Sequence, residues 1–444
     1  MDVREAIRTQ PMRRLQIIAV LICVAVCMMD GFEMLMVGFI APHLAKAWSL
    51  SQIQVGYLLS ASVFGTAIGA GVIGPLADRI GRRRHVIVCL LFIVVCMVLS
   101  ALVTSIEAMI VLRAITGLFI GAIVVPLHVT VSEYSSDRWR GPVMGLYGLG
   151  LPFGASVGGA VSAALVGQYG WQAAFAFAAV LSGVVFILAY FLLPESIEFL
   201  LERRPVSALK QYNAIASKLG YPTVMTLPDP IAKKADRTTV TAIFGGIMGK
   251  RTILLWIANT LMACALYFAN TWTAKLIADA TGNLQLGVKA ALLVPVGGMV
   301  GALAFAGLST KMRPRLATVV IMIIGVVSYT LFSHSFGNIS LAMALALLVG
   351  VAANGGAAAY LAISPSVYTA DVRATGVGWM IGVARFISIG APIGTGYLLT
   401  AGLKPADAFQ FFAVVLAISA VACLLLDRTY RDERGESAAV RGVS

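Results

Sequence analysis

The chain has 444 residues and carries 33 Lys and Arg against 20 Asp and Glu, a formal charge of +13. Apolar residues make up 59% of it and charged residues 12%, about half the charged share of a soluble domain, and its mean hydropathy is +0.90. These values exclude a soluble globular protein. They also remove the need for a nucleic-acid-binding face, because most of the basic residues lie on one side of the apolar runs, in loops, linker and tails.

A membrane-spanning helix needs about 20 apolar residues. Twelve such runs are present, at roughly 16–40, 54–77, 85–103, 107–131, 141–166, 172–193, 251–275, 284–308, 316–333, 341–362, 374–400 and 406–426. They predict an all-α integral membrane protein. The first run is too long for a cleavable signal peptide, contains acids and lacks a small-residue cleavage site. Lys and Arg concentrate in the N-terminal segment, the even-to-odd loops and the C-terminal tail. The opposite side holds Lys46, Lys275, Lys289 and Lys404, and Arg113 and Arg385 fall inside helices. Positive loops stay inside, so both termini are expected in the cytoplasm of a cell (inner) membrane protein.

Helix one carries Asp30-Gly31-Phe32-Glu33. An ionisable residue at membrane depth is costly unless paired or hydrated, so each is a functional candidate. Asp30 and Glu33 are three apart and share a helical face. Two carboxyls so close and partly desolvated do not both ionise easily, which suits one of them to carrying a proton. The competing role is neutralisation of a buried arginine.

Between helices two and three lies Gly74-Pro-Leu-Ala-Asp78-Arg79-Ile-Gly81-Arg82-Arg83-Arg84, preceded by Gly65, Gly69 and Gly71. The arginines hold this turn on the cytoplasmic side. The glycines are expected to let the two flanking helices approach closely. The spacing resembles the signature loop of the major facilitator superfamily, which implies a gating rather than a substrate-binding role for Gly74, Asp78, Arg79, Gly81 and Arg82. Asp78 is expected to accept hydrogen bonds from the N-terminus of helix eleven near Ala374.

Helix four begins its inward course with Arg113-x-x-x-Gly117-x-x-x-Gly121 and ends near His128 and Glu133. At 1.5 Å per residue, Glu33 and Arg113 lie ~10 Å and ~9 Å from the outer ends of their helices. They are thus expected to meet, Arg113 either relaying the proton or pairing with Glu33. Glu133 is expected to pair with Arg82 as a latch. Gly150-Leu-Pro152-Phe-Gly154 and Gly158-Gly159 on helix five mark a bend and an expected close contact between halves.

Residues 194–250 are rich in proline and charge, with an amphipathic stretch near Val206–Leu219, and read as a cytoplasmic linker. The expected organisation is a six-helix bundle at 1–193, the linker at 194–250, a second bundle at 251–426 and a tail at 427–444. The halves echo each other. At an offset of 232, Gly65, Gly69, Arg79 and Arg83 fall on Gly297, Gly301, Lys311 and Arg315; at 233, Arg140 and Gly145 fall on Arg373 and Gly378. Such symmetry is expected of a transporter built from two repeated bundles. The second copy has Thr310 where the first has Asp78, and its gate is expected to be held less tightly.

Arg385 on helix eleven lies ~16 Å from the inner helix end, near the midplane. A guanidinium there suits a bidentate grip on a substrate carboxylate, or a fixed partner for Asp30 or Glu33. Among many aromatics, Phe32, Tyr147 and Phe386 lie near these charges in the helical register and are candidates to stack on an aromatic ring. The six cysteines show neither metal-ligand nor disulfide spacing, and no cofactor is expected.

Several stretches resemble the aromatic acid:proton symporter family. Asp30-Gly31-Phe32-Glu33 is similar to its Asp-Gly-x-Asp motif, with Glu33 in place of the second Asp. Ala41-Pro42, Trp48-x-Leu50, Pro194-Glu195-Ser196-x-Glu198-Phe199-Leu200, Arg373-Ala-Thr-Gly376-Val-Gly378-Trp379 and Arg385 with Pro392 also match, whereas Tyr368-Thr369-Ala370-Asp371 departs from its Tyr-Pro-Thr. The resemblance implies proton-coupled import of aromatic carboxylates, with Asp30 and Glu33 essential. The partners expected are a small organic acid, protons and the lipid bilayer, with the chain acting as a monomer. A proton-driven exporter is the alternative. A sensor would need an output domain, and no Gly-x-Ser-x-Gly elbow, phosphate loop or metal cluster argues for an enzyme.

Overall fold

A computed structural model of the chain describes residues 3–228, 240–369 and 372–441. Twelve helices among the described residues are long and apolar enough to span a bilayer. They are α1 (Arg14–Ala47), α2 (Gln52–Ile80), α3 (Arg82–Leu102), α4 (Ile106–Glu133), α5 (Arg140–Tyr169), α6 (Trp171–Leu192), α7 (Gly246–Thr281), α8 (Leu284–Lys311), α9 (Pro314–Ser333), α10 (Ile339–Val367), α11 (Thr375–Thr400) and α12 (Pro405–Arg431). The twelve runs read from hydropathy each fall on one of these helices to within a residue, and the helices extend past them by up to about two turns. Lys46, Lys275 and Lys289, expected in outer loops, therefore lie inside α1, α7 and α8. Pro230, Ala370, Asp371 and residues 442–444 lie outside the described residues, as do parts of the linker and tail.

The chain divides into two compact units, residues 1–36 with 61–234, and residues 37–60 with 235–444. In the first unit α2 and α4 cross on small residues. A Cβ at Gly65 or Gly69 would strike the α4 backbone at Ala114 or Leu118, and one at Gly117 or Gly121 would strike Ser62 or Thr66. The glycines thus serve a contact with α4, not with the flanking α3. The glycines of α5 likewise differ from expectation: Gly154 and Gly158 face Met28 and Phe32 of α1 within this same unit. Helical period marks which face is small but not which neighbour fills it.

The C-terminal end of α2 is irregular, passing through a π turn at Gly69–Ile73 and a 3-10 turn at Gly74–Leu76 before the short helix Ala77–Ile80. Gly81 closes it at φ +102°, where a Cβ would meet Glu195. Helices Val3–Thr9, Ile197–Arg203 and Ala208–Lys218 bury Val3, Ile7, Leu200, Tyr212 and Ile215 in a small apolar core with Tyr134. Part of the expected linker is therefore packed structure.

In the second unit α8 crosses α10 as α2 crosses α4. Gly297 and Gly301 abut Leu347 and Val351, and Gly350 abuts Val294. The internal repeat is thus also a repeat of packing. Residues 37–60 belong to this unit through close contacts. Gly38 abuts Asn270 and Thr271, the Ser60 hydroxyl donates to the Ile389 carbonyl at 2.9 Å, and the Tyr57 and Tyr397 hydroxyls lie 3.1 Å apart. α11 is interrupted at Ile389, between segments Arg373–Ser388 and Gly390–Thr400. Pro392 lacks the N–H that would bond Ser388 four residues earlier, which accounts for the break.

Candidate functional site

The first unit holds a cluster of buried charge. Asp30 is 6% exposed and Glu33 and Arg113 are fully buried. α1 brings both carboxyls to one face, and α6 meets that face with Ser182, whose hydroxyl donates to Glu33 Oε1. Arg113 is turned elsewhere. Its Nη2 donates to Thr116 Oγ1 at 2.9 Å and approaches Met97 Sδ at 3.4 Å, and its Cζ lies 5.3 Å from the Phe175 ring centroid. Arg113 and Glu33 are within electrostatic reach of each other. They do not form a contact ion pair, and Glu33 Oε2 and Arg113 Nε and Nη1 have no hydrogen-bond partner among the described residues. The direct meeting expected from helix depth is thus replaced by a longer-range interaction, because Thr116, one turn along α4, captures the guanidinium. Glu33 can gain or lose a proton without breaking an ion pair.

Asp30 lies within electrostatic reach of Cys27 and Tyr147. Cys27 Sγ donates to the Tyr147 carbonyl at 3.4 Å, and the Tyr147 ring meets His128 edge-on at 5.6 Å. Phe32 is buried against Gly158 and meets Phe177 edge-on at 5.9 Å, so its ring faces protein.

In the second unit Arg385 is half-buried on α11, one turn before the break at Ile389. Among the described residues its guanidinium has no hydrogen bond or ion pair. Phe386 is exposed at 66%. Asn270 of α7 and Asn354 of α10 pair amide to amide at 3.2 Å, a polar contact inside an apolar bundle.

The loop after α2 is organised around Arg82, which is buried. Its guanidinium is ion-paired with Glu133 and donates to Ser196 Oγ at 2.9 Å. Ser196 in turn donates to Glu133 Oε2 at 2.7 Å. Asp78 is more loosely held, 3.6 Å from Arg82, and its carbonyl accepts from Arg203 at 3.1 Å. Glu195 accepts from the backbone N–H of both Arg83 and Ser196, at 3.0 and 2.9 Å. Gly74 is buried and Arg79 is exposed. Removing one partner of a buried pair costs roughly 3–5 kcal/mol because the other charge is stranded. If this loop gates, as its sequence implies, Glu133→Ala is expected to slow transport about tenfold or more, with equilibrium binding of a ligand changed little. Stopped-flow uptake and calorimetry on the purified variant test this. Weakened binding with an unchanged rate would remove the loop from gating.

Ser182, Ser196, Glu195 and Asn270 carry contacts that the sequence reading did not assign. Ser182 had a visible signal, being the one hydroxyl residue between Gln172 and Tyr190. Among the described residues no group of three or more His, Cys, Asp and Glu side chains could hold a metal.

Comparison with known proteins sets this geometry in context. The sequence profile of the Major Facilitator Superfamily matches residues 21–380. The chain is 30% identical over 420 residues to the 4-hydroxybenzoate transporter PcaK of Pseudomonas putida, covering 91% of this chain and 93% of that protein. It is 29% identical over 433 residues to the gallate transporter of Pseudomonas putida, with 94% of each covered. Among solved structures it is similar to a D-xylose–proton symporter, with TM-score 0.70, 14% identity and coverage of 92% and 97%, a likeness of fold.

Proposed function

The chain belongs to the Major Facilitator Superfamily, and we propose that it is a proton-coupled importer of an aromatic or related organic carboxylate. It is a multi-pass membrane transporter and not an enzyme. The observation that carries proton coupling is Glu33: a fully buried carboxyl on a membrane-spanning helix, with a hydroxyl beside it and no cation in ion-pair contact. The relatives that transport 4-hydroxybenzoate and gallate support an aromatic acid as cargo. Arg385 offers the half-buried fork that a carboxylate needs.

Asp30 and Glu33 take the proton, with Arg113 setting the electrostatics of the site. Arg385 takes the carboxylate, and Phe32, Tyr147 and Phe386 are the aromatic residues assigned to the ring. A bound carboxylate cancels the charge of Arg385, and a proton cancels a charge on α1. The fully loaded carrier therefore reorients at lower cost than a half-loaded one. Reorientation uses the bundles at 1–193 and 251–426, linked by 194–250, as the two repeats of an alternating-access carrier. Gly74, Asp78, Arg79, Gly81, Arg82 and Glu133 form the cytoplasmic gate, with both termini on that side of the inner membrane.

Liposomes carrying the purified protein test this with labelled 4-hydroxybenzoate and an inward proton gradient. Accumulation that collapses on adding a protonophore is expected. Uptake indifferent to the gradient, or movement of substrate only against the entering protons, would overturn the reading in favour of a uniporter or an exporter.

A further inference from the structure

We propose that Ser182 is a positioning residue for the proton site on α1: its single hydroxyl hydrogen turns to Glu33 when that carboxyl is ionised and to the Ala178 carbonyl when the carboxyl is protonated. The inference rests on the reading of Glu33 as a coupling residue. Ser182 is fully buried, and its Oγ lies within hydrogen-bond distance of two acceptors, Glu33 Oε1 and the Ala178 carbonyl, the latter at 2.7 Å. A hydroxyl has one hydrogen to donate and lone pairs to accept with. It cannot serve both acceptors at once.

Two arrangements follow. With Glu33 protonated, the carboxyl O–H donates to Ser182 Oγ, and the serine hydrogen goes to the Ala178 carbonyl. With Glu33 ionised, the serine hydrogen swings to Oε1, and the Ala178 carbonyl keeps its intrahelical bond. No covalent bond to the serine oxygen forms or breaks; the transported proton arrives on and leaves from the Glu33 carboxyl. Each state of Glu33 thus has a partner, which a lone buried carboxyl would lack.

The groups around Glu33 leave this task to Ser182. Arg113 of α4 acts from a distance, with Nη2 held by Thr116 and Met97. Asp30 shares α1, and Cys96 of α3 is within electrostatic reach. Ser182 is the one side chain hydrogen-bonded to Glu33 among the described residues. A serine that only returned its hydroxyl to its own helix would bond the carbonyl four residues back and nothing else.

Transport of labelled 4-hydroxybenzoate in liposomes, followed across pH, separates the roles. Ser182→Ala removes the donor to the ionised form and the acceptor for the protonated one; the bond to the charged form is the stronger, so the pH midpoint of transport is expected to move toward the alkaline side by about one unit, the difference between the two bonds. Binding measured well below the midpoint, where Glu33 is protonated in both proteins, should be unchanged. Ser182→Thr, which keeps the hydroxyl, should restore the wild-type midpoint. Should the alanine variant fail to fold, Ser182→Cys keeps the volume and weakens the donor, and must move the midpoint the same way by less. A wild-type midpoint in the folded alanine or cysteine variant overturns the proposal. Glu33→Gln distinguishes the failures: if it abolishes accumulation while Ser182→Ala is silent, Ser182 alone is misassigned, whereas if Glu33→Gln still accumulates substrate, the coupling role of Glu33 falls with it.

Discussion

Glu33→Gln and Asp30→Asn are each expected to abolish proton-driven accumulation of the carboxylate. A pH gradient of two units lets a one-proton symporter concentrate its cargo about 100-fold, since each unit is worth about 1.4 kcal/mol. An amide neither takes up nor releases a proton, so a variant lacking the carboxyl should equilibrate its substrate and stop. The amide does resemble the protonated carboxyl in shape and charge. Exchange of labelled for unlabelled substrate, which needs no net proton movement, should therefore persist and report a folded, binding-competent protein. Glu33→Asp keeps the charge but shortens the reach to Ser182, and should retain part of the accumulation. If both amide variants still build a hundredfold gradient, the proton is carried elsewhere.

Arg385→Ala is expected to weaken binding of the aromatic acid by at least about 30-fold. Truncating one partner of a buried charged contact costs roughly 2–5 kcal/mol, and every 1.4 kcal/mol is tenfold in affinity. Arg385 is half-buried on α11 with no ion pair among the described residues, so a bound anion would be its main charge partner. Arg385→Lys keeps the charge without the planar fork and should fall between wild type and alanine. The amide of the same acid should bind wild type and Arg385→Ala about equally weakly, because it offers no anion to the guanidinium. Calorimetry or tryptophan quenching on purified protein measures all three. An Arg385→Ala variant that folds and binds the acid as tightly as wild type would make Arg113 the next candidate for the carboxylate.

The twelve spans were legible in the sequence because a membrane helix is a local sum, some 20 apolar residues that need no partner to declare themselves. The pairing of Asp30 and Glu33 on one face was equally local, since three residues bring a side chain back to the same side. So was the place of Arg385 within a membrane-length helix, which is a count along one run. The internal repeat could be read from Gly65, Gly69, Gly297 and Gly301 alone, and their crossings with α4 and α10 follow the same symmetry.

What only the tertiary structure decided were the choices among neighbours. A glycine face is visible in the helical period, but α4 rather than α3 fills it, and α1 fills the face of α5. Arg113 and Glu33 stand at matching depths, yet Thr116 and Met97 hold the arginine and Ser182 takes the acid. The helix Val3–Thr9 is seven residues long, too short to hold itself in water, and exists through its burial beside Tyr212 and Tyr134. Composition and period act along the chain. Which hydrogen-bond donor reaches a buried carboxyl depends on residues 149 positions apart, as Glu33 and Ser182 are, and is settled only when the helices pack.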